Sequence, residues 1–102
     1  PLMAAVTERV RAGRPVAAIC AAPSILAELG LLEGRQATSN PGFMSVLAEH
    51  GAQVSQAAVV ADGSVITSRG MGTAIDFGLE IVRHYLGEEA VDDVKAKIVY
   101  QG

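Results

Sequence analysis

Cysteine is almost missing from this chain of 102 residues: Cys20 stands alone, which excludes an internal disulfide and a Cys-rich metal site. Basic charge is also scarce, with 8 Lys and Arg against 11 Asp and Glu for a net charge of −3. A nucleic-acid-binding or anionic-membrane surface normally needs a clustered excess of Lys and Arg, so neither partner is expected. The basic groupings that do occur, Arg9, Arg11 and Arg14, then Lys95 and Lys97, flank apolar positions and read as solvated helix faces. No hydrophobic run approaches the ~20 residues of a membrane span. No secretory signal is visible, and a cytoplasmic location is the default expectation. There is no initiator Met, and Leu2 to Arg11 already reads as an amphipathic element, so the start is expected to be a cut inside a longer sequence.

What is present belongs to a folded domain. Half of the residues are hydrophobic and only 19% are charged. Leu2, Met3, Val6 and Val10 form the stripe of a surface helix ending at Gly13. Residues 16–20 are a short continuous apolar run, as expected of a parallel strand buried on both faces. Ala21-Ala22-Pro23 then leads into Ile25, Leu26, Leu29 and Leu32 at helical spacing, with Pro23 in the first turn. This is a strand–turn–helix unit with Cys20 at its corner.

Residues 36–39 suggest a short strand, Asn40-Pro41-Gly42 a turn, and Phe43, Met44, Leu47 and Ala48 a short helix ending at His50-Gly51. Two β-branched runs, residues 57–61 and 64–67, flank Asp62-Gly63, a type I′ hairpin pair. After Gly70-Met71-Gly72, expected to be a tight turn capped by Thr73, Ile75, Leu79, Val82 and Leu86 mark a long helix. Phe77, Ile81 and Tyr85 widen its buried face, and Gly87 stops it. A last helix runs from Glu88 to about Lys95, and Ile98-Val99-Tyr100 forms an extended tail. No repeat or linker interrupts the order, so residues 1–102 are one domain or one piece of one.

Cys20 is the leading chemical candidate. A thiol at the carboxyl end of a buried strand, just before a helix, faces unpaired backbone N–H groups and the positive end of the helix dipole, which favour the thiolate. The amides near Ala21 and Ala22 could serve a developing oxyanion. A small buried hydrophobe is the plain alternative for such a position. His50 and His84, the two histidines, fall at helix ends, where an imidazole simply complements the dipole. Gly70-Met71-Gly72 lacks a third glycine at Ile75 and a following Lys, which disfavours nucleotide binding. Arg69 beside that turn suits a carboxylate or a subunit contact. Asp76, Glu80, Asp92 and Asp93 are expected on exposed helix faces, outside the apolar setting that a general acid needs.

Two segments, Ala17-Ala18-Ile19-Cys20-Ala21-Ala22-Pro23 and Thr67-Ser68-Arg69-Gly70-Met71-Gly72-Thr73, resemble the ThiJ/PfpI superfamily in its DJ-one-like, parkinsonism-associated branch. The similarity continues to Ala96 and covers essentially the whole chain. Ala21 stands where the protease-like branch carries a His, which argues against a local Cys–His peptidase dyad. The resemblance implies an α/β fold, the flavodoxin-like (class I glutamine amidotransferase-like) three-layer sandwich. Here it would be the carboxyl-terminal part, packed against its own missing amino-terminal half. It further implies a nucleophilic or oxidation-sensitive Cys20, an oxyanion amide at Ala21, a homodimer, and no metal or cofactor. The implied activity is glyoxalase or protein-deglycase chemistry on methylglyoxal, a small aldehyde, or its glycated adducts. Oxidative-stress sensing, redox-regulated chaperone action and a thiamine-precursor role are the alternatives. Asn40, Pro41, Arg69 and Met71 fall at positions expected to line or support the pocket. Asn40 replaces a His of the human protein's branch, and Met71 replaces a common proline near the partner subunit's site. The family's proton-shuttling Glu and a glycine-based oxyanion donor would precede Leu2.

Overall fold

In the computed structural model, residues 2–97 are described, Leu2 by its backbone only. The expected tail at Ile98-Val99-Tyr100 lies outside the described residues. The order is α1 (Leu2–Arg11), β1 (Val16–Ile19), α2 (Ala22–Glu28), β2 (Gln36–Ala37), α3 (Met44–Glu49), β3 (Gln53–Val54), β4 (Val59–Asp62), β5 (Val65–Ser68), α4 (Ala74–Leu86) and α5 (Glu88–Lys97). Short 3-10 turns at Pro41–Phe43 and Met71–Thr73 precede α3 and α4.

β1, β5 and β4 form a three-stranded sheet in that spatial order, with β1 and β5 parallel and β4 and β5 antiparallel. β2 and β3 make a separate parallel pair. Side chains alternate across the sheet. Ala18 and Val65 enter one core with Val10 of α1, Leu26 and Ala27 of α2, Ala37 of β2 and Leu47 of α3. Ile66 points to the opposite face, against α4, which brings in the buried Leu79. Helices therefore cover both faces of the sheet, as the α/β expectation requires.

Several local expectations need correction. β1 is not buried on both faces: only Ala18 of its four residues is buried, because among the described residues β1 is an edge strand with β5 as its sole neighbour in this sheet. The hairpin loop is Gly63-Ser64, one residue later than Asp62-Gly63, because Asp62 pairs with Val65. Only Gly63 is left-handed there, at φ +60°, whereas a type I′ turn needs two such residues. α2 ends at Glu28, so the buried Leu31 and Leu32 lie in the loop beyond it. Phe43 sits in the 3-10 turn ahead of α3. α4 buries only Leu79 fully, leaving Ile75, Tyr85 and Leu86 exposed where a buried face was expected.

Polar ties hold the two sheets together. Gln36 N–H donates to Asp62 Oδ2 at 2.7 Å, and the buried Thr38 N–H donates to Thr67 Oγ1 at 2.9 Å. The hairpin thus satisfies backbone groups in and just after β2 with side chains instead of a strand ladder. Among the described residues, no buried side-chain nitrogen or oxygen lacks a hydrogen-bond partner.

Candidate functional site

The chain must leave β1 at Ile19 and enter α2 at Ala22, so the reversal falls on Cys20 and Ala21. Cys20 takes φ +63°, the single left-handed non-glycine among the described residues. That conformation costs an L-residue about 1–2 kcal/mol. Two backbone bonds hold it: Cys20 N–H donates to Ser68 O at 3.1 Å, and Asn40 N–H donates to Cys20 O at 2.8 Å. Ala21, back in right-handed geometry, accepts through its carbonyl from Ser24 N–H at 3.0 Å and from the Ser24 hydroxyl at 2.6 Å. Pro23 follows, fully buried in the first turn of α2. The thiol at this corner is half-buried.

Asn40 and Gly70 stand beside it. A Cβ built on Gly70 would lie 3.9 Å from Cys20 Sγ and 4.0 Å from Asn40 Nδ2, so thiol and amide flank one point. The amide's orientation is fixed because Asn40 Oδ1 accepts Gly42 N–H at 3.1 Å. Nδ2, a donor only, is the end toward Gly70. Pro41 is exposed and opens the 3-10 turn that follows, where its fixed φ suits the first position.

Arg69 is half-buried, and its guanidinium engages backbone: Nε donates to Ser39 O at 3.1 Å and one terminal nitrogen to Gln56 O at 3.3 Å. It clamps the segment carrying Asn40 against the end of β5. Met71 projects outward at 91% exposure. Thr73 does not cap α4 through its side chain; its Oγ1 accepts Gly70 N–H at 3.0 Å and donates to Gly70 O at 2.9 Å. Ser68 Oγ lies 2.7 Å from Thr73 Oγ1 and donates to Ala58 O at 2.7 Å. The tight turn capped by Thr73 is as expected, whereas Ser68 as its neighbour and Gly70 as a neighbour of the thiol were not anticipated. The signal was available in the Gly-x-x-Thr spacing, which lets a hydroxyl three residues on reach back to the Gly70 N–H, directly after a strand ending in Ser.

The histidines behave as expected of helix ends. His50 follows α3 with Nδ1 2.9 Å from Val46 O, and His84 meets Tyr85 edge-on at 5.7 Å in the last turn of α4. Asp92 and Asp93 are exposed, but Asp76 and Glu80 are half-buried, because α4 packs on the sheet there. Glu80 pairs with Arg83 at 2.8 Å, and Glu88 pairs with it too. The hydrogen bonds that Arg83 donates to Glu80 and then to Glu88 raise its pKa, so it stays charged. No helix among the described residues is long and apolar enough to cross a membrane.

The comparisons with known proteins agree with this fold. The chain is 44% identical over 82 residues to the protein dj-1beta of Drosophila melanogaster, covering 80% of this chain and 44% of that protein. It is 44% identical over 57 residues to a deglycase of Pyrococcus horikoshii, covering 56% of this chain and 34% of the deglycase. The crystal structure of Drosophila DJ-1beta superposes with a TM-score of 0.90 at 35% identity, covering 98% of this chain and 54% of that one. Oxidized DJ-1 of Toxoplasma gondii superposes at 0.88 with 29% identity, covering 99% and 54%. The fold is thus the flavodoxin-like one of these proteins, and the chain spans about half the length of the relatives it matches. With residues 1–84 matching the family model described as DJ-1/PfpI family, and with Cys20 at its strand–helix corner, the chain belongs to the DJ-1/PfpI family.

Proposed function

We propose that the complete protein is a cysteine-dependent enzyme with glyoxalase- or deglycase-like chemistry on methylglyoxal or its adducts, and that Cys20 is its nucleophile. The observation that carries this reading is the left-handed Cys20, whose sulfur borders the same open point at Gly70 as the Asn40 amide donor. The thiolate sulfur forms a C–S bond to the aldehyde carbon, and the carbonyl π pair moves to oxygen. Asn40 Nδ2 and the Ala21 N–H are the donors for that oxyanion, which takes up a proton to give a hemithioacetal. Rearrangement then moves hydrogen from the aldehyde carbon to the neighbouring ketone carbon, leaving a thioester that water cleaves. No external oxidant is needed, since one carbon is oxidised as the other is reduced.

The rearrangement needs a proton carrier, and Asn40 cannot titrate near neutrality. In this reading a carboxylate from a segment outside residues 1–102 supplies it, packed along the open edge of β1. The edge supports this, because the exposed Ala17 lies in a groove of about 170 Å³ lined mainly by apolar side chains, including Met3, Val16 and Ile25. Residues 1–102 would then be the carboxyl-terminal portion of one domain. A second copy of the protein would cover the corner where Met71 and Ile75 are 91% and 58% exposed.

The test compares methylglyoxal turnover by the 102-residue chain and by the full-length polypeptide, each with Cys20→Ala. Turnover only in the full-length form and lost in C20A is expected. Equal turnover by both lengths would remove the external proton carrier, and activity surviving in C20A would remove the nucleophile.

A second reading is favoured by the oxidized state of the Toxoplasma relative: Cys20 senses oxidant without turnover. Mild peroxide should then add oxygen selectively at Cys20, giving a sulfinate visible by peptide mass spectrometry. Oxidation spread over the methionines with Cys20 unmodified would count against it.

A further inference from the structure

Gly70 is a glycine for neither of the usual reasons. Its backbone is extended, at φ 172° and ψ −165°, so no left-handed turn demands it. Packing does not demand it either, because an added Cβ would meet Cys20 Sγ at 3.9 Å and Asn40 Nδ2 at 4.0 Å, both ordinary contacts. What the missing side chain does leave is open space at the one point flanked by the thiol and the amide donor.

The backbone of Gly70 is held firmly at that point. Its N–H is bound by Thr73 Oγ1, and its carbonyl accepts both from the Thr73 hydroxyl at 2.9 Å and from Thr73 N–H at 3.0 Å. A wall fixed at both of its polar groups cannot easily retreat from an incoming group.

From this geometry we infer that Gly70 is the size-determining residue of the Cys20 site. It admits a carbonyl carbon bearing one small, unbranched substituent and turns away wide ones. The inference rests on the reading of Cys20 as the nucleophile and adds the class of electrophile it accepts. When the sulfur adds to a carbonyl carbon, the new tetrahedral centre forms next to Sγ, and an oxygen held by Asn40 Nδ2 lies toward the point at Gly70 that both atoms border. A methyl at Gly70 would occupy that volume.

The deciding experiment is alkylation of Cys20 in the full-length polypeptide, followed by peptide mass spectrometry, with iodoacetamide as the narrow reagent and N-phenylmaleimide as the wide one. Gly70→Ala should slow the wide reagent by about 10-fold or more and the narrow one by under about 3-fold, with Gly70→Val enlarging the contrast. Equal slowing of both reagents, or of neither, overturns the inference. Should the variants fail to fold, the wild-type protein gives the same decision. With rates normalised to those of free glutathione, Cys20 should prefer iodoacetamide by about 10-fold or more, and equal normalised rates overturn the inference. Absence of methylglyoxal turnover in wild type would defeat the enzymatic reading alone, since alkylation requires only an accessible thiol.

Discussion

The backbone N–H of Asn40 donates to the carbonyl of Cys20 at 2.8 Å. This bond ties the loop after β2 to the corner after β1, and the Asn40 Nδ2 end and the thiol border the same point at Gly70. Asn40→Ala should lower kcat/KM for methylglyoxal by about 100-fold, the usual effect of deleting one oxyanion donor. A fall below about 3-fold in steady-state assays would remove Asn40 from the site.

Asn40→His introduces a group that titrates near 6.5 where the wild type has none. The pH–rate profile of this variant should acquire an inflection between about pH 6 and 7 that is absent from the wild type. Parallel profiles for the two proteins would show that no proton moves at this position.

The left-handed backbone of Cys20 makes an unusual stability prediction. Cys20→Ala retains the unfavourable φ of +63°, whereas Cys20→Gly relieves it. The gain is offset in part by the greater freedom of glycine in the unfolded chain. C20G should therefore be as stable as C20A or more so, by up to about 1 kcal/mol in urea unfolding. In an ordinary strand or helix, glycine would be the less stable by about that amount.

Arg69 bridges Ser39 O and Gln56 O. Arg69→Ala should cost about 1–3 kcal/mol of stability, as for lost hydrogen bonds from a charged donor, and lower kcat through the displaced Asn40 loop. Arg69→Lys, which keeps the charge but not the planar fork, should recover only part of each loss. Full recovery by Lys in both measurements would show that charge alone matters.

Thr73→Val removes the hydroxyl that binds both polar groups of Gly70 while keeping the side-chain shape. It should destabilise the protein by about 1–2 kcal/mol and raise the reactivity of Cys20 toward wide alkylating reagents, because the wall loosens. Thr73→Ser, retaining the hydroxyl, should behave as wild type in both respects.

Much of the fold is readable along the chain because its signals are local. The apolar stripe of α1, the run at Val16 to Ile19, the Pro23 start of α2 and the stop of α4 before Gly87 depend on residues within a turn or two of one another. The strand–turn–helix corner at Cys20 is legible for the same reason. Burial is less so. Periodicity marks Ile75, Tyr85 and Leu86 as apolar, but whether they are covered depends on what packs across from them, and here they are exposed. The one-residue shift of the hairpin loop is likewise a matter of pairing, since Asp62 prefers to face Val65 and to accept Gln36 N–H.

The amino-acid sequence by itself determined the family pattern, the single thiol and its place at the end of a strand, because each follows from residue type and short spacing. Only the tertiary structure decided what surrounds that thiol. Residues 20, 40 and 70 meet because β1 pairs with β5, which brings Ser68 O to Cys20 N–H. The Thr38–Thr67 and Arg69–Ser39 bonds then draw in the Asn40 loop. Contacts across such separations are chosen by chain-distant partners competing for the same backbone groups, and no local pattern encodes the outcome.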